Sequence, residues 1–122
     1  MILVDTSVWV DHLRAGDAAL GERLNHSQVL IHPFVLGEIA CGNLRSRDEV
    51  LRLLKALPQA IVASHEEVLF FIKRNALMGR GIGYVDAHLL AAAALGGSTQ
   101  LWTRDKRLRS VAAALNLACG EH

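Results

Sequence analysis

Hydrophobic and polar positions divide the chain into short apolar runs and longer segments with helical spacing. The run Ile2–Val4 has the length and composition of a buried parallel strand, and Asp5 ends it. Helical spacing begins directly afterwards, with Thr6 or Ser7 as the expected N-cap. The pattern therefore predicts a strand, a turn and a helix, with a carboxylate at the carboxyl end of the strand. In open α/β sheets, that end is where ligands bind.

The same two periodicities predict the remaining elements. Two further strands are expected at residues 28–32 and 100–103, and shorter candidates lie at 60–63 and 117–119. Helices are expected at residues 8–13, 17–25, 34–42, 46–57, 64–78, 84–95 and 106–115. Because helices separate the strands, this order implies a small parallel sheet packed between helices.

Capping motifs mark several helix starts. Asp17 is the expected N-cap of the second helix. Two further segments match a capping box, in which an N-cap serine and a glutamate three residues later satisfy each other's backbone: Ser46 with Glu49, and Ser64 with Glu67.

A glycine-rich segment, residues 79–83, precedes the most helix-prone stretch of the chain. The segment lacks the preceding strand and the Lys-Ser/Thr of a phosphate-binding P-loop, so it is expected to end a helix, with Gly79 or Gly81 left-handed. The helix at 84–95 is mostly alanine and leucine after Asp86, which predicts burial. Asp86 occupies the first turn, a common place for a carboxylate, but a buried helix would hold it at the edge of the fold.

Length and composition indicate one domain covering residues 1–122. Hydrophobic residues make up 52%, charged residues 20%, and the net charge is +1, so the composition is globular and does not demand a nucleic-acid partner. Cys41 and Cys119 lie far apart in apolar surroundings, which indicates reduced thiols. Neither a secretory signal nor a membrane span is expected, which indicates a cytoplasmic protein.

Four carboxylates occupy positions that the predicted fold can bring together. Asp5 and Asp105 each follow a strand, Asp86 opens a buried helix, and Glu38 interrupts an apolar one. Crossover helices begin at the edge where parallel strands end. Gathered carboxylates repel one another, and a hard divalent cation such as Mg²⁺ or Mn²⁺ would relieve that repulsion. For Glu38, facing water or pairing with an arginine is the equally open alternative.

A carboxylate-held Mg²⁺ suits phosphodiester hydrolysis, because it lowers the pKa of a bound water and offsets charge on the phosphate. Thr103 precedes Asp105 by two residues and could orient a water or a ligand, or be an ordinary strand residue. Basic side chains near Asp105 and Asp86 are candidate contacts to substrate phosphates, with a solvated helix face as the alternative. They are Arg104, Lys106, Arg107 and Arg80.

Four segments of the sequence together resemble the VapC toxins of the PIN-domain ribonuclease family. They occur in the family's order, from residue 2 to about 117, and are specific only as a set. The segments are Ile2 to Leu13, Leu36 to Ile39, Tyr84 to Ala93 and Leu101 to Leu108.

The resemblance implies a three-layer α/β sandwich of the PIN type, with a mainly parallel sheet of about four or five strands. It further implies a Mg²⁺- or Mn²⁺-dependent endoribonuclease that is the toxin of a type II toxin–antitoxin pair. By position, Asp5, Glu38, Asp86 and Asp105 match the family's catalytic and metal-binding acidic quartet, and Thr103 matches a hydroxyl residue often found beside it. Homodimers and inhibition by a VapB-like antitoxin are also implied.

Other phosphate chemistries fit the sequence less well. A haloacid-dehalogenase-type phosphatase needs a second aspartate two residues after the first, where this chain has Ser7. A response-regulator receiver needs an acidic pair near the first strand and a phosphoacceptor after a middle strand. Two readings on the same fold stay open: a PIN nuclease of RNA processing, and a non-catalytic RNA-binding or regulatory module.

Overall fold

The computed structural model describes residues 1–120 and contains a parallel sheet of three strands. The central strand, β1 (Ile2–Val4), lies between β2 (Val29–Leu30) and β3 (Gln100–Trp102). Because all pairings are parallel, the carboxyl ends of the strands lie at one edge of the sheet.

Seven helices flank this sheet within the described part of the chain. They are α1 (Thr6–Ala15), α2 (Ala18–Asn25), α3 (Pro33–Ala40), α4 (Arg47–Lys55), α5 (His65–Arg74), α6 (Tyr84–Leu95) and α7 (Lys106–Ala114). Helix α1 packs against α3, α6 packs against both α5 and β3, and α4 packs against α3. The arrangement is the α/β sandwich that the sequence predicts.

The core centres on β1 and α6. Leu3 and Val4 are fully buried, and all residues from 87 to 93 of α6 are buried as predicted. Removing this apolar surface from water is the main stabilising contribution, about 25 cal/mol for each Å². Burial on this scale holds α6 against β3. No helix in residues 1–120 has the length and hydropathy that a membrane crossing requires.

The sheet is narrower than the four or five strands expected. The candidate at 60–63 is not a strand, and pairing next to it is limited to one bridge, between Ile31 and Gln59. The candidate at 117–119 also forms a single parallel bridge, between Leu101 and Ala118. In each place the pairing consists of two backbone hydrogen bonds, made by Ile31 and by Leu101, which is too few for a further strand.

Tertiary contacts shift several predicted helix starts. Asp5, rather than Thr6 or Ser7, is the N-cap of α1, although its carboxylate makes no capping hydrogen bond. The capping box at Ser46 is wrong: this residue is left-handed, with φ of 49°, so its hydroxyl does not cap α4. An N-cap side chain works from an extended backbone, which Ser64 has and Ser46 lacks. The capping box at Ser64 is confirmed, as is the cap at Asp17.

The end of α5 also differs from expectation. This helix stops at Arg74, and the left-handed residue after it is Ala76, with φ of 51°. Gly79 and Gly81 do have positive φ, but they lie in the loop that leads to α6. Both cysteines are free thiols as expected, and only Cys119 is buried.

Candidate active site

Three predicted residues follow neighbouring strands at the carboxyl edge of the sheet. Asp5 follows β1, and Thr103 with Asp105 follows β3, which pairs with β1 as far as Val4 and Trp102. The backbone N–H of Asp5 donates to the Trp102 carbonyl at 2.9 Å, so the strands are still joined where the polar residues begin.

Asp5 is buried, and two hydroxyl groups hold its carboxylate. The Thr103 hydroxyl donates to Asp5 Oδ2 at 2.7 Å, and the Ser7 hydroxyl donates to the same oxygen at 2.8 Å. Within residues 1–120, Asp5 Oδ1 makes no hydrogen bond. The carboxylate is therefore fixed through one oxygen, while the other keeps its capacity to bind a ligand.

Thr103 also joins Asp5 to Asp105. Its Oγ1 accepts the backbone N–H of Asp105 at 3.1 Å while its own proton goes to Asp5. Asp105 is the N-cap of α7, with Oδ1 accepting the N–H of Leu108 at 3.0 Å. One buried hydroxyl therefore sets the relative positions of two carboxylates.

Glu38 is exposed, which agrees with the alternative that it faces water. Within residues 1–120 no arginine forms an ion pair with it, and its Oε1 accepts the hydroxyl of Thr6 at 2.8 Å. Because Thr6 begins α1 directly after Asp5, this bond holds Glu38 of α3 beside the start of α1.

Asp86 is half-buried in the first turn of α6, where its Oδ2 accepts the Gly83 N–H at 3.1 Å. Burial is the main cause that raises the pKa of the Asp86 carboxyl, and the hydrogen bond from Gly83 opposes it. The negative charges of Asp5, Asp105 and Glu38 raise this pKa further, in that order. All four carboxylates thus lie within electrostatic range at one edge of the sheet.

These side chains suit a hard cation in their donor chemistry. They offer carboxylate oxygens, and their repulsion at Asp86 is what a cation would remove. Across residues 1–120, no three Asp, Glu, His or Cys side chains already form a set that could hold a metal ion. The cluster is therefore open, an arrangement compatible with Mg²⁺ because that ion usually keeps several waters.

Arg104, one of the predicted substrate contacts, is engaged in an ion-pair network with two aspartates. Its guanidinium contacts Asp11 at 2.7 Å and Asp17 at 2.5 Å, and lies 5.6 Å from the centre of the Trp102 ring. The hydrogen bond from Arg104 is the largest cause that lowers the pKa of the Asp17 carboxyl. Arg104 therefore ties the end of β3 to α1 and to the start of α2.

The other three basic candidates are exposed. Arg107 of α7 lies over the loop before α6: a Cβ added to Gly81 would come within 2.7 Å of its Cδ. This contact puts a cation next to the loop that leads to Asp86. Lys106 lies in the first turn of α7, and Arg80 in the same loop as Gly81.

Sequence reasoning missed the two hydroxyl residues after Asp5 as parts of the site. Thr6 and Ser7 were expected only to cap a helix, yet they bind Glu38 and Asp5. Ser7 Oγ also accepts the backbone N–H of Arg104 at 3.0 Å. The available signal is the adjacency of two hydroxyl residues to the first aspartate, a pattern that helix capping explains equally well.

Comparison with known proteins agrees with this geometry. The PIN domain family matches residues 2–114. Two relatives, each named Ribonuclease VapC32 and from Mycobacterium tuberculosis strains CDC 1551 / Oshkosh and ATCC 25618 / H37Rv, are 51% identical over 121 residues. That alignment covers 99% of this chain and 98% of each relative. The chain therefore belongs to the PIN-domain family, as a protein of the VapC type.

Proposed function

We propose that this chain is an endoribonuclease that hydrolyses RNA phosphodiester bonds with Mg²⁺ or Mn²⁺. One observation carries the proposal: Asp5, Asp105, Glu38 and Asp86 converge at the carboxyl edge of the sheet, where burial first, and then the charges of the other three carboxylates, raise the pKa of Asp86. Perturbed carboxylates of this kind cluster at functional sites. The relatives named ribonuclease support RNA as the substrate.

The four carboxylates are the proposed metal-holding residues. When bound, the cation would lower the pKa of a water and offset charge on the phosphate. Thr103 and Ser7 hold Asp5 in position through Oδ2, which leaves Oδ1 for the cation. Thr6 plays the corresponding part for Glu38.

Exposed cations beside this cluster would contact the phosphates of the RNA. Arg107, Lys106 and Arg80 are the proposed residues, since all three are exposed near the starts of α6 and α7. Such contacts supply affinity that does not depend on base sequence and that falls with added salt. Arg104 is left out of this set because Asp11 and Asp17 already hold its guanidinium.

The biological role that we propose is that of the toxin in a type II toxin–antitoxin pair, acting in the cytoplasm as a homodimer with residues 1–122 as a single domain. The VapC name of the relatives supports this role, and a VapB-like antitoxin would be the partner. A nuclease of RNA processing would use the same site without that partner. A non-catalytic RNA-binding module would bind RNA without cleaving it.

Cleavage assays on purified protein separate the catalytic proposal from the binding module. Wild type should cleave structured RNAs in Mg²⁺ or Mn²⁺ and stop in EDTA. Asp5→Asn should reduce cleavage by about a hundredfold or more, because several kcal/mol of charge stabilisation are lost. Asp48→Asn is the matched control, since Asp48 is an exposed carboxylate in the first turn of α4. Cleavage that persists in EDTA and in Asp5→Asn would refute the proposal.

Growth and co-purification test the biological role separately. Expression of wild type, but not of Asp5→Asn, should arrest growth. Affinity purification from the native cell should recover a small partner chain that restores growth when co-expressed. Recovery of a ribosomal or RNA-processing complex instead would favour the processing nuclease.

A further inference from the structure

Two exposed aromatic rings lie beside the acidic cluster and have no part in the proposed catalytic roles. Phe34 is in the first turn of α3 and 37% exposed, and Tyr84 begins α6 and is 42% exposed. Large apolar rings left in water at the edge of a polar site are typical of binding surfaces.

The two rings belong to one packed group. His88, which is 3% exposed, contacts Phe34 and Tyr84, with a ring-centroid distance of 4.6 Å to each. Both contacts are edge-to-face, with interplanar angles of 69° and 88°. Tyr84 Oη also lies 2.6 Å from His65 Nδ1, within hydrogen-bond distance. These contacts restrict both rings, so a ligand would find them already positioned.

The position of this group follows from the two helices that carry it. Phe34 and Glu38 are four residues apart in α3, so they lie on the same face, one turn from each other. Tyr84 occupies the same first turn of α6 as Asp86. Because Glu38 and Asp86 interact electrostatically, the aromatic group adjoins the carboxylates on both helices.

A further observation points to a ligand at this place. Arg107, which lies over Gly81, puts a cation close to the chain segment that leads into Tyr84. These three features match the parts of a nucleotide. The aromatic surface suits the base, the cation suits a phosphate, and the carboxylate cluster lies where the bond would be cut.

We propose that Phe34 and Tyr84 form a stacking platform for an unpaired base of the RNA next to the scissile phosphate. The proposal rests on the proposed nuclease function and assigns a base contact to these two residues. Unpaired bases stack on aromatic side chains, whereas paired bases inside a helix are not available to do so. Phe34 and Tyr84 would thus hold the nucleotide beside the carboxylates by contact with its base.

The direct test measures binding in EDTA, where the cleavage reaction does not operate. The probe is a short single-stranded RNA that carries one 2-aminopurine, whose fluorescence is quenched when it stacks. Wild type should quench it, and should bind the same RNA about tenfold more tightly than a version with abasic sites. Equal affinity for the two RNAs would overturn the platform without any variant. The cleavage assay in Mg²⁺ is separate, so failure of the nuclease proposal is recognised independently.

Variants then assign the effect to the two rings. Phe34→Leu and Tyr84→Leu keep an apolar cover over His88 but lose the aromatic faces, so each should weaken binding about tenfold and reduce the quenching. Phe34→Tyr and Tyr84→Phe should restore both signals. Phe70→Leu is the matched control, because Phe70 is 62% exposed on α5 and lines a groove with Leu95 at the far end of α6.

The outcomes separate stacking from a purely structural role. If the leucine variants are folded, as judged by circular dichroism, and bind the RNA like wild type, the platform is overturned. If they bind more weakly while the quenching of the bound probe is unchanged, the rings act on stability and the proposal is also overturned. Restoration of the quenching by Tyr84→Phe supports the platform, since that variant keeps the ring and removes the hydroxyl near His65.

Discussion

The hydroxyl of Thr103 donates to Asp5 Oδ2 at 2.7 Å and so joins the ends of two neighbouring strands. Both side chains are buried, with Thr103 2% exposed and Asp5 7% exposed. A buried carboxylate needs hydrogen-bond donors to stay in place, and this one has two. Since Thr103 Oγ1 also accepts the N–H of Asp105, the Thr103 side chain holds two proposed metal ligands in position.

Thr103→Val tests this positioning role, because it keeps the shape of the side chain and removes the hydroxyl. We expect cleavage to fall by about 10- to 100-fold, the usual effect of removing a group that orients a metal ligand. The free energy of unfolding should fall by about 1–3 kcal/mol, since the buried Asp5 carboxylate loses a donor and the partly buried N–H of Asp105 loses its acceptor. Cleavage rates and denaturant unfolding measure the two effects.

Thr99→Val is the control for Thr103→Val. Thr99 is also a buried threonine, but it lies before β3, at the end of that strand opposite to Asp105. Cleavage by Thr99→Val should stay near wild type. Equal losses in both variants would mean that Thr103 contributes to packing and not to the site.

Asp86 should make the metal-free protein less stable as the pH rises. Its folded pKa is raised, first by burial and then by neighbouring carboxylates, so the folded chain keeps the proton to a higher pH than the unfolded chain. Stability therefore falls as pH increases from the ordinary aspartate value through the raised one. Asp86→Asn removes this loss and should raise the Tm in EDTA near neutral pH.

Thermal unfolding over a pH series checks the prediction for Asp86. The gain from Asp86→Asn should vanish in acid, below the ordinary aspartate pKa, because both states are then protonated. Added Mg²⁺ should raise the Tm of wild type more than that of Asp86→Asn. In contrast, Asp48→Asn should lower the Tm slightly, since it removes a favourable charge from the first turn of α4. A Tm for Asp86→Asn below wild type near neutral pH would contradict the assignment.

Local patterns were sufficient to locate the carboxylates but not their partners. Asp5 and Asp105 could be placed because each ends a strand, and parallel strands share an edge. The bonds of Thr6 to Glu38 and of Thr103 to Asp5 join residues 32 and 98 positions apart, and no periodicity encodes such pairs.

The basic segment after β3 shows a second limit of sequence reasoning. Four of the six residues from 104 to 109 are basic, and their proximity to Asp105 predicts one role, phosphate binding, for Arg104, Lys106 and Arg107. In the structure Arg104 turns to Asp11 and Asp17, whereas Arg107 lies over Gly81. The difference arises because Arg104 precedes the N-cap of α7 and Arg107 lies within that helix. At Ser46, too, a backbone conformation set by the surrounding fold overrode a good local motif.

His32 should make the protein sensitive to acid. Its side chain is fully buried, and burial, with a smaller effect of His88, lowers its pKa from 6.5 to about 4. The unfolded chain therefore binds the proton first as pH falls, so stability present above pH 6.5 is lost progressively toward about pH 4. The loss should be about 3 kcal/mol.

His32→Asn isolates this effect in urea unfolding at a series of pH values. Asparagine can keep the bond that His32 Nδ1 accepts from the N–H of Phe34 at the start of α3, but it does not titrate. The slope of stability against pH between the two pKa values should flatten in His32→Asn. His26→Asn is the control, because His26 is exposed. The same slope in His32→Asn and wild type would show that His32 is not the titrating group.

Arg107 and Arg104 should respond in opposite ways to substitution, because one is exposed near the site and the other is held in an ion-pair network. Arg107→Gln should weaken RNA binding and reduce the slope of log affinity against log salt by about 0.7, the value for one phosphate contact on a single strand. Arg104→Gln should leave that slope unchanged and lower the Tm, since Asp11 and Asp17 would lose their shared cation. Binding isotherms at several salt concentrations and thermal unfolding give both quantities for each variant. A reduced slope in Arg104→Gln would show that Arg104 does contact RNA phosphates. An unchanged slope in Arg107→Gln would show that Arg107 does not.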